Sequence, residues 1–178
     1  MKKLLYLFVV LLFTGCNQLS NTPTKRVEEF LKSYQTLDEK VLNDLDNVVN
    51  QDVTLSKQQQ DTYKDIMKKH YQNLTYKIKD DTIDGNNAIV TAEITVTDFS
   101  KALQEANSYM NNNIQSFNDE TGNYNITMFN DYRLEQLNSA KEKIKYTVYF
   151  SLNKQNDEWV MGNIDSVTYD KINGVYNY

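Results

Sequence analysis

Residues 74–97 read LTYKIKDDTIDGNNAIVTAEITVT, and their periodicity decides the fold. Leu74, Tyr76 and Ile78 alternate with Thr75, Lys77 and Lys79, the two-residue period of a strand with one face buried. Asp84-Gly85-Asn86-Asn87 supplies the residues of a tight reversal. Beyond it Ala88, Val90, Ala92, Ile94 and Val96 alternate with Ile89, Thr91, Glu93, Thr95 and Thr97, the longer arm of a hairpin. Ala88 and Ala92 on the inner face leave two options: room for a cavity, or close approach of a helix.

A second hairpin lies downstream. Ile144, Tyr146, Val148, Phe150 and Leu152 share one face against Lys143, Lys145, Thr147, Tyr149 and Ser151. Gln155-Asn156-Asp157 turns the chain into a strand predicted over 158–165, where Trp159 and Met161 continue the core face and Gly162 marks a bulge.

The flanking segments change period. Pro23 suits a first helical turn, and Val27, Phe30, Leu31 and Tyr34 follow at helical spacing. Asp38 reads as the cap of a helix carrying Val41, Leu42, Leu45, Val48 and Val49, and Ser56 caps another carrying Tyr63, Ile66, Met67, His70 and Tyr71. Between the hairpins, Ser100 to Phe117 reads as one helix, Asp119 to Asn125 as a loop, and Ile126 to Ala140 as a weaker helix. The tail from Thr168 either docks on the domain or projects from it. Helices, hairpin, helices, hairpin make an α+β class: N-terminal helices on an antiparallel sheet of about four strands, with a helical segment between the two hairpins.

The chain opens MKKLLYLFVVLLFTGCNQLS. Lys2 and Lys3 precede an apolar run of ten residues, Leu4 to Phe13, right for an export signal and short of the ~20 needed to span a bilayer. Thr14-Gly15-Cys16 resembles the close of a bacterial lipoprotein signal, which implies cleavage before Cys16 and a diacylglycerol thioether on its sulfur. Residues 1–15 are then the signal, 16–22 a tether and 23–178 one domain. Cys16 is the single cysteine, so no disulfide staples the fold. Without Lys2 and Lys3 the balance is 17 basic to 24 acidic residues, a formal −7, which opposes nucleic acid and anionic membrane surfaces as partners of the domain.

Catalytic patterns are absent. No G-x-S-x-G, phosphate loop, H-E-x-x-H or paired-cysteine motif occurs. One histidine, His70, and no mature-chain cysteine beyond the anchor leave nothing for zinc but carboxylates. Asp80 to Asn86 fails the calcium-loop template, with Thr82 and Thr91 at positions that require carbonyl or carboxylate oxygens. No metal and no cofactor is expected. His70 falls on the edge of an apolar stripe, where a packing residue is the usual occupant. Among thirteen tyrosines, Tyr34, Tyr76 and Tyr146 fall on core faces with Trp159, and each polar tip requires backbone, water or a ligand.

TPTKRVEEFLKSYQTLD after the anchor, the following helices, and a last hairpin ending NDEWVMGNID resemble the nuclear transport factor 2-like domain of small exported Gram-positive lipoproteins. The resemblance implies a curved antiparallel sheet wrapped on helices as a cone, with Tyr34, Tyr76, Tyr146 and Trp159 as candidate pocket residues. It transfers no catalytic residue. The expectation is a non-enzymatic binding or interaction module, lipid-anchored at Cys16 on the extracytoplasmic membrane face. Its partner is an envelope protein or a small apolar ligand; a ligand carrier using the cone and a carboxylate-based pocket enzyme are the alternatives.

Overall fold

The computed structural model describes residues 21–177. The expected export signal, residues 1–15, and Cys16 lie outside the described residues. Among those described, six α-helices and four strands form an α+β fold.

Local chemistry starts each of the first helices. In α1 (Pro23–Thr36) the Thr22 hydroxyl accepts the Lys25 N–H at 3.1 Å ahead of Pro23, and Leu37 closes the helix in the left-handed region at φ 55°. The Asp38 carboxylate accepts the Lys40 N–H at 2.9 Å to start α2 (Glu39–Gln51). A reciprocal box between Ser56 and Gln59, at 3.2 and 2.9 Å, opens α3 (Lys57–Gln72).

Strands β1 (Thr75–Asp84), β2 (Asn87–Thr97), β3 (Lys143–Gln155) and β4 (Glu158–Met161) form one open antiparallel sheet in that order. Gly85 takes φ 57° in the first turn. In the second, Asn156 and Asp157 take φ 49° and 65°, the pair of positive angles that a two-residue hairpin favours. The inner face follows the sequence alternation: Val90, Ala92, Ile94, Tyr146, Val148 and Phe150 are at most 1% exposed. Burial of each large apolar side chain there contributes roughly 1.5–3 kcal/mol. Helices α1, α3 and α6 (Ser166–Ile172) contact the sheet, and Phe30 of α1 meets Phe150 edge-on at 5.6 Å. Helix α2 packs on α3, while α5 (Ile126–Ser139) lies against both α3 and α4 (Phe99–Asn112).

Four local expectations are corrected. Strand β1 runs to Asp84, and its register shifts between Ile78 and Asp80, so Asp80 pairs with Thr91 and Thr82 with Ile89. The bulge therefore falls in β1. At Gly162 there is instead a close approach: an added Cβ would lie 2.9 Å from the Ser151 carbonyl oxygen, and β4 ends at Met161. The helix read through Phe117 breaks at Asn113, whose side-chain amide donates to the Tyr109 carbonyl at 2.9 Å, and resumes as a 3₁₀ turn, Ile114–Phe117. Nor is the tether loose up to Thr22. The Asn21 side-chain amide donates to the Asp157 carbonyl, and its oxygen accepts the Trp159 N–H, at 2.6 and 3.2 Å.

The tail question resolves as docking. Asp165 caps α6, accepting the Thr168 N–H at 2.6 Å, and Gly174 turns the chain back at φ 70°. The Gly174 carbonyl accepts the N–H groups of Phe99 and Ser100 at 2.8 and 2.9 Å, which fastens the C-terminus across the start of α4.

Candidate functional site

The four aromatic residues singled out in the sequence do not surround one hollow. Tyr76, Ile94 and Tyr146 occupy one row across β1, β2 and β3. Trp159 pairs with Lys154, eight residues farther along β3, which is about 26 Å away at ~3.3 Å per residue. Tyr34 lies on α1, its ring edge-on to Tyr71 at 5.1 Å and Phe30 at 5.5 Å. The hydroxyl of Tyr146 donates to the Tyr176 carbonyl at 2.9 Å, and Tyr71 donates to the Asn173 side chain at 2.9 Å. Burial holds the phenols of Tyr34 and Tyr71 above the usual tyrosine range, so both remain neutral. Tyr34, Tyr146 and Trp159 are core and Tyr76 packs half-buried against it; the Tyr146 hydroxyl, with that of Tyr71, anchors the C-terminus, while that of Tyr76 donates to the Glu28 carbonyl at 3.5 Å.

His70 is held the same way. Its ring is 3% exposed, stacks on Phe99 at a 4.6 Å centroid distance and meets Tyr71 edge-on at 5.7 Å. Nε2 lies 2.8 Å from the Ile172 carbonyl, so Nε2 carries the proton and donates. Nδ1 is buried with no hydrogen-bond partner among the described residues. Burial drives His70 down to about 4, against partial relief from the Ile172 carbonyl. At neutral pH it is an uncharged ring sealed beneath the C-terminal segment.

Two concave features lie elsewhere. A polar groove of about 460 Å³ runs between α3 and α5, with Asp65, Lys69, Asp131 and Glu135 on its walls. Gln59 spans its floor, donating to the Asp131 carboxylate at 2.7 Å and to the Thr127 carbonyl at 2.9 Å. Among the described residues, no group of three or more His, Cys, Asp or Glu is arranged to hold a metal ion.

The other is a hollow of about 220 Å³ between the α2–α3 loop, α4, α5 and the docked tail. Its walls are Val49, Leu55, Phe99, Leu103, Leu137 and Val175, and its polar groups come from Asp52, Tyr63 and Arg133. The loop side is fixed from two directions. Asp52 accepts the Thr54 N–H and hydroxyl at 2.9 and 2.6 Å, and the Asn130 side chain donates to the Thr54 carbonyl at 2.9 Å. Those Thr54 bonds are the main reason that Asp52 titrates below the ordinary carboxylate range; it is ionised at neutral pH.

No family model, curated protein or solved structure matches the chain. Its chemistry is therefore read from its own residues. Sequence reasoning missed Arg133 because the helix that carries it has no tidy apolar stripe. Asn130, Arg133 and Leu137, at i, i+3 and i+7, share one side of α5, and that spacing was the available signal.

Proposed function

We propose that this chain is a lipid-anchored extracytoplasmic protein of the cell envelope, whose domain is a non-catalytic binding module related to nuclear transport factor 2-like folds. The anchor rests on the sequence reading of Lys2 to Cys16. The observation that favours a non-catalytic role is the sealing of His70, whose donor is committed to Ile172 and whose face is covered by Phe99. A general base must reach a substrate proton within hydrogen-bond distance, and this imidazole is walled off by the docked tail. The filled inner sheet face favours recognition through surfaces or small hollows over a cone-shaped reaction chamber.

The Asn21 clip gives the anchored protein an orientation. Five residue steps separate Cys16 from Asn21, at most about 18 Å of extended chain. Since Asn21 is bound at the β3–β4 turn, that end of the sheet is held within about 18 Å of the anchor.

The test is a deletion strain complemented with wild type, Cys16→Ser and His70→Gln, alongside metabolic labelling with an alkyne fatty acid. Wild type takes the label, while Cys16→Ser loses both label and function and His70→Gln keeps both. Equal labelling of wild type and Cys16→Ser refutes the anchor. Loss of function in a folded, abundant His70→Gln protein refutes the non-catalytic reading.

A further inference from the structure

The hollow beside Arg133 has the chemistry of a ligand site. Its walls are aliphatic and aromatic, and a single cationic side chain enters them. The Arg133 Nε–H is shielded from solvent and has no hydrogen-bond partner among the described residues. Arg133 makes none of the contact ion pairs formed between described residues, and its charge acts only at longer range on Asp52 across the same hollow. A buried donor left unpaired is unfavourable, and its pairing with an ionised acceptor is stronger than a neutral hydrogen bond. The position is built rather than accidental: Asn130 holds the loop wall from the same side of α5, and the Gly174 carbonyl fixes the start of α4 and with it the wall at Phe99.

We propose that this hollow binds a small apolar monocarboxylic acid, its carboxylate on Arg133 and its hydrocarbon against Leu103, Leu137 and Val175. The guanidinium fork matches a carboxylate in plane. Asp52 lines the same hollow and its charge is already coupled to Arg133, which disfavours a doubly charged phosphate group there, while the second carboxylate of a dicarboxylate would have to lie against apolar walls. Volume sets the length. A cavity of roughly 150 Å³ accommodates benzene, so about 220 Å³ admits a chain of roughly six to eight carbons and excludes long-chain fatty acids. This inference does not depend on the anchor or on the envelope reading, because every group it uses belongs to the folded domain.

The experiment is calorimetric titration of the folded protein with sodium octanoate, 1-octanol and suberate. Octanoate binds with one-site stoichiometry, and octanol and suberate bind at least tenfold more weakly. Arg133→Gln, checked for folding by circular dichroism, loses at least tenfold in octanoate affinity and leaves octanol unchanged; Arg133→Lys recovers part of the loss. Leu103→Trp, which fills the hollow without touching the charge, abolishes both ligands and serves as the test if Arg133→Gln does not fold. No heat at 1 mM octanoate, equal affinities for octanoate and octanol, or unchanged binding in the folded Arg133→Gln and Leu103→Trp proteins each overturns the proposal.

Discussion

Gly174→Ala is the sharpest test of how the C-terminal segment holds the domain. Gly174 sits at φ 70°, where an L-residue costs about 1 kcal/mol or somewhat more. The larger effect is steric. A Cβ at this position overlaps the Thr97 carbonyl oxygen and lies 2.8 Å from His70 Cε1, and the first of these is backbone at the end of β2, which has no rotamer to relax. The tail must lift, and with it goes the Gly174 carbonyl that accepts from Phe99 and Ser100. Leaving one or two such N–H groups unpaired costs roughly 1–3 kcal/mol each. The total comes to about 3–5 kcal/mol, a large share of the ~5–15 kcal/mol typical of a whole domain. Gly85→Ala is the internal control, since Gly85 has φ 57° but no atom within 4 Å of the added carbon, so only the backbone cost of about 1 kcal/mol applies. Urea unfolding followed by the fluorescence of the single tryptophan, Trp159, measures both. At a slope of roughly 2 kcal/mol per molar, Gly174→Ala loses about 2 M in midpoint and Gly85→Ala about 0.5 M. Losses equal within about 0.5 kcal/mol, a margin at the level of surface-substitution effects, would refute the clasp as described. Hydrogen exchange gives an independent reading: the Phe99 and Ser100 amides lose protection in Gly174→Ala alone.

The remaining predictions concern pH, the sheet and the N-terminal clip. Because His70 titrates at about 4 when folded and near 6.5 when unfolded, the unfolded chain binds the extra proton between those values, so stability falls as pH drops from 6.5 toward 4. The loss is about 3 kcal/mol at its limit; His70→Gln flattens the slope between pH 6.5 and 5 in urea titrations, and an unchanged slope counts against a buried neutral ring. Val148→Asp buries a carboxylate at a position 1% exposed and costs several kcal/mol, whereas Thr147→Asp on the exposed face costs about 1 kcal/mol or less; comparable losses in thermal melts contradict the assigned facing. Asn21→Ala removes one exposed and one part-buried hydrogen bond, lowers stability by about 1 kcal/mol, and speeds limited proteolysis at Asn21–Thr22 relative to the wild type.

Much of the architecture is legible in the sequence because it is dictated locally. The alternation from Ala88 to Val96 and from Ile144 to Leu152 fixes which face of each strand is buried, since successive side chains point to opposite sides of a strand. Pro23, Asp38 and Ser56 likewise mark helix starts, the two caps through bonds to N–H groups only two or three residues away. What depends on distant partners is not written in any local pattern. Residues 166–172 carry too short a period to announce a helix, and the end of that helix is held by partners about a hundred positions away, His70 for Ile172 and Tyr71 for the capping Asn173. Alternation also placed Tyr76, Tyr146 and Trp159 on the core face correctly without showing that Trp159 stands at the far end of the sheet from the other two, because register is a pairing between strands. Arg133 is the clearest case. Its sequence neighbours describe an ordinary charged residue on a weak helix, and only the packing of the α2–α3 loop, α4 and the tail around α5 turns its guanidinium toward an apolar hollow.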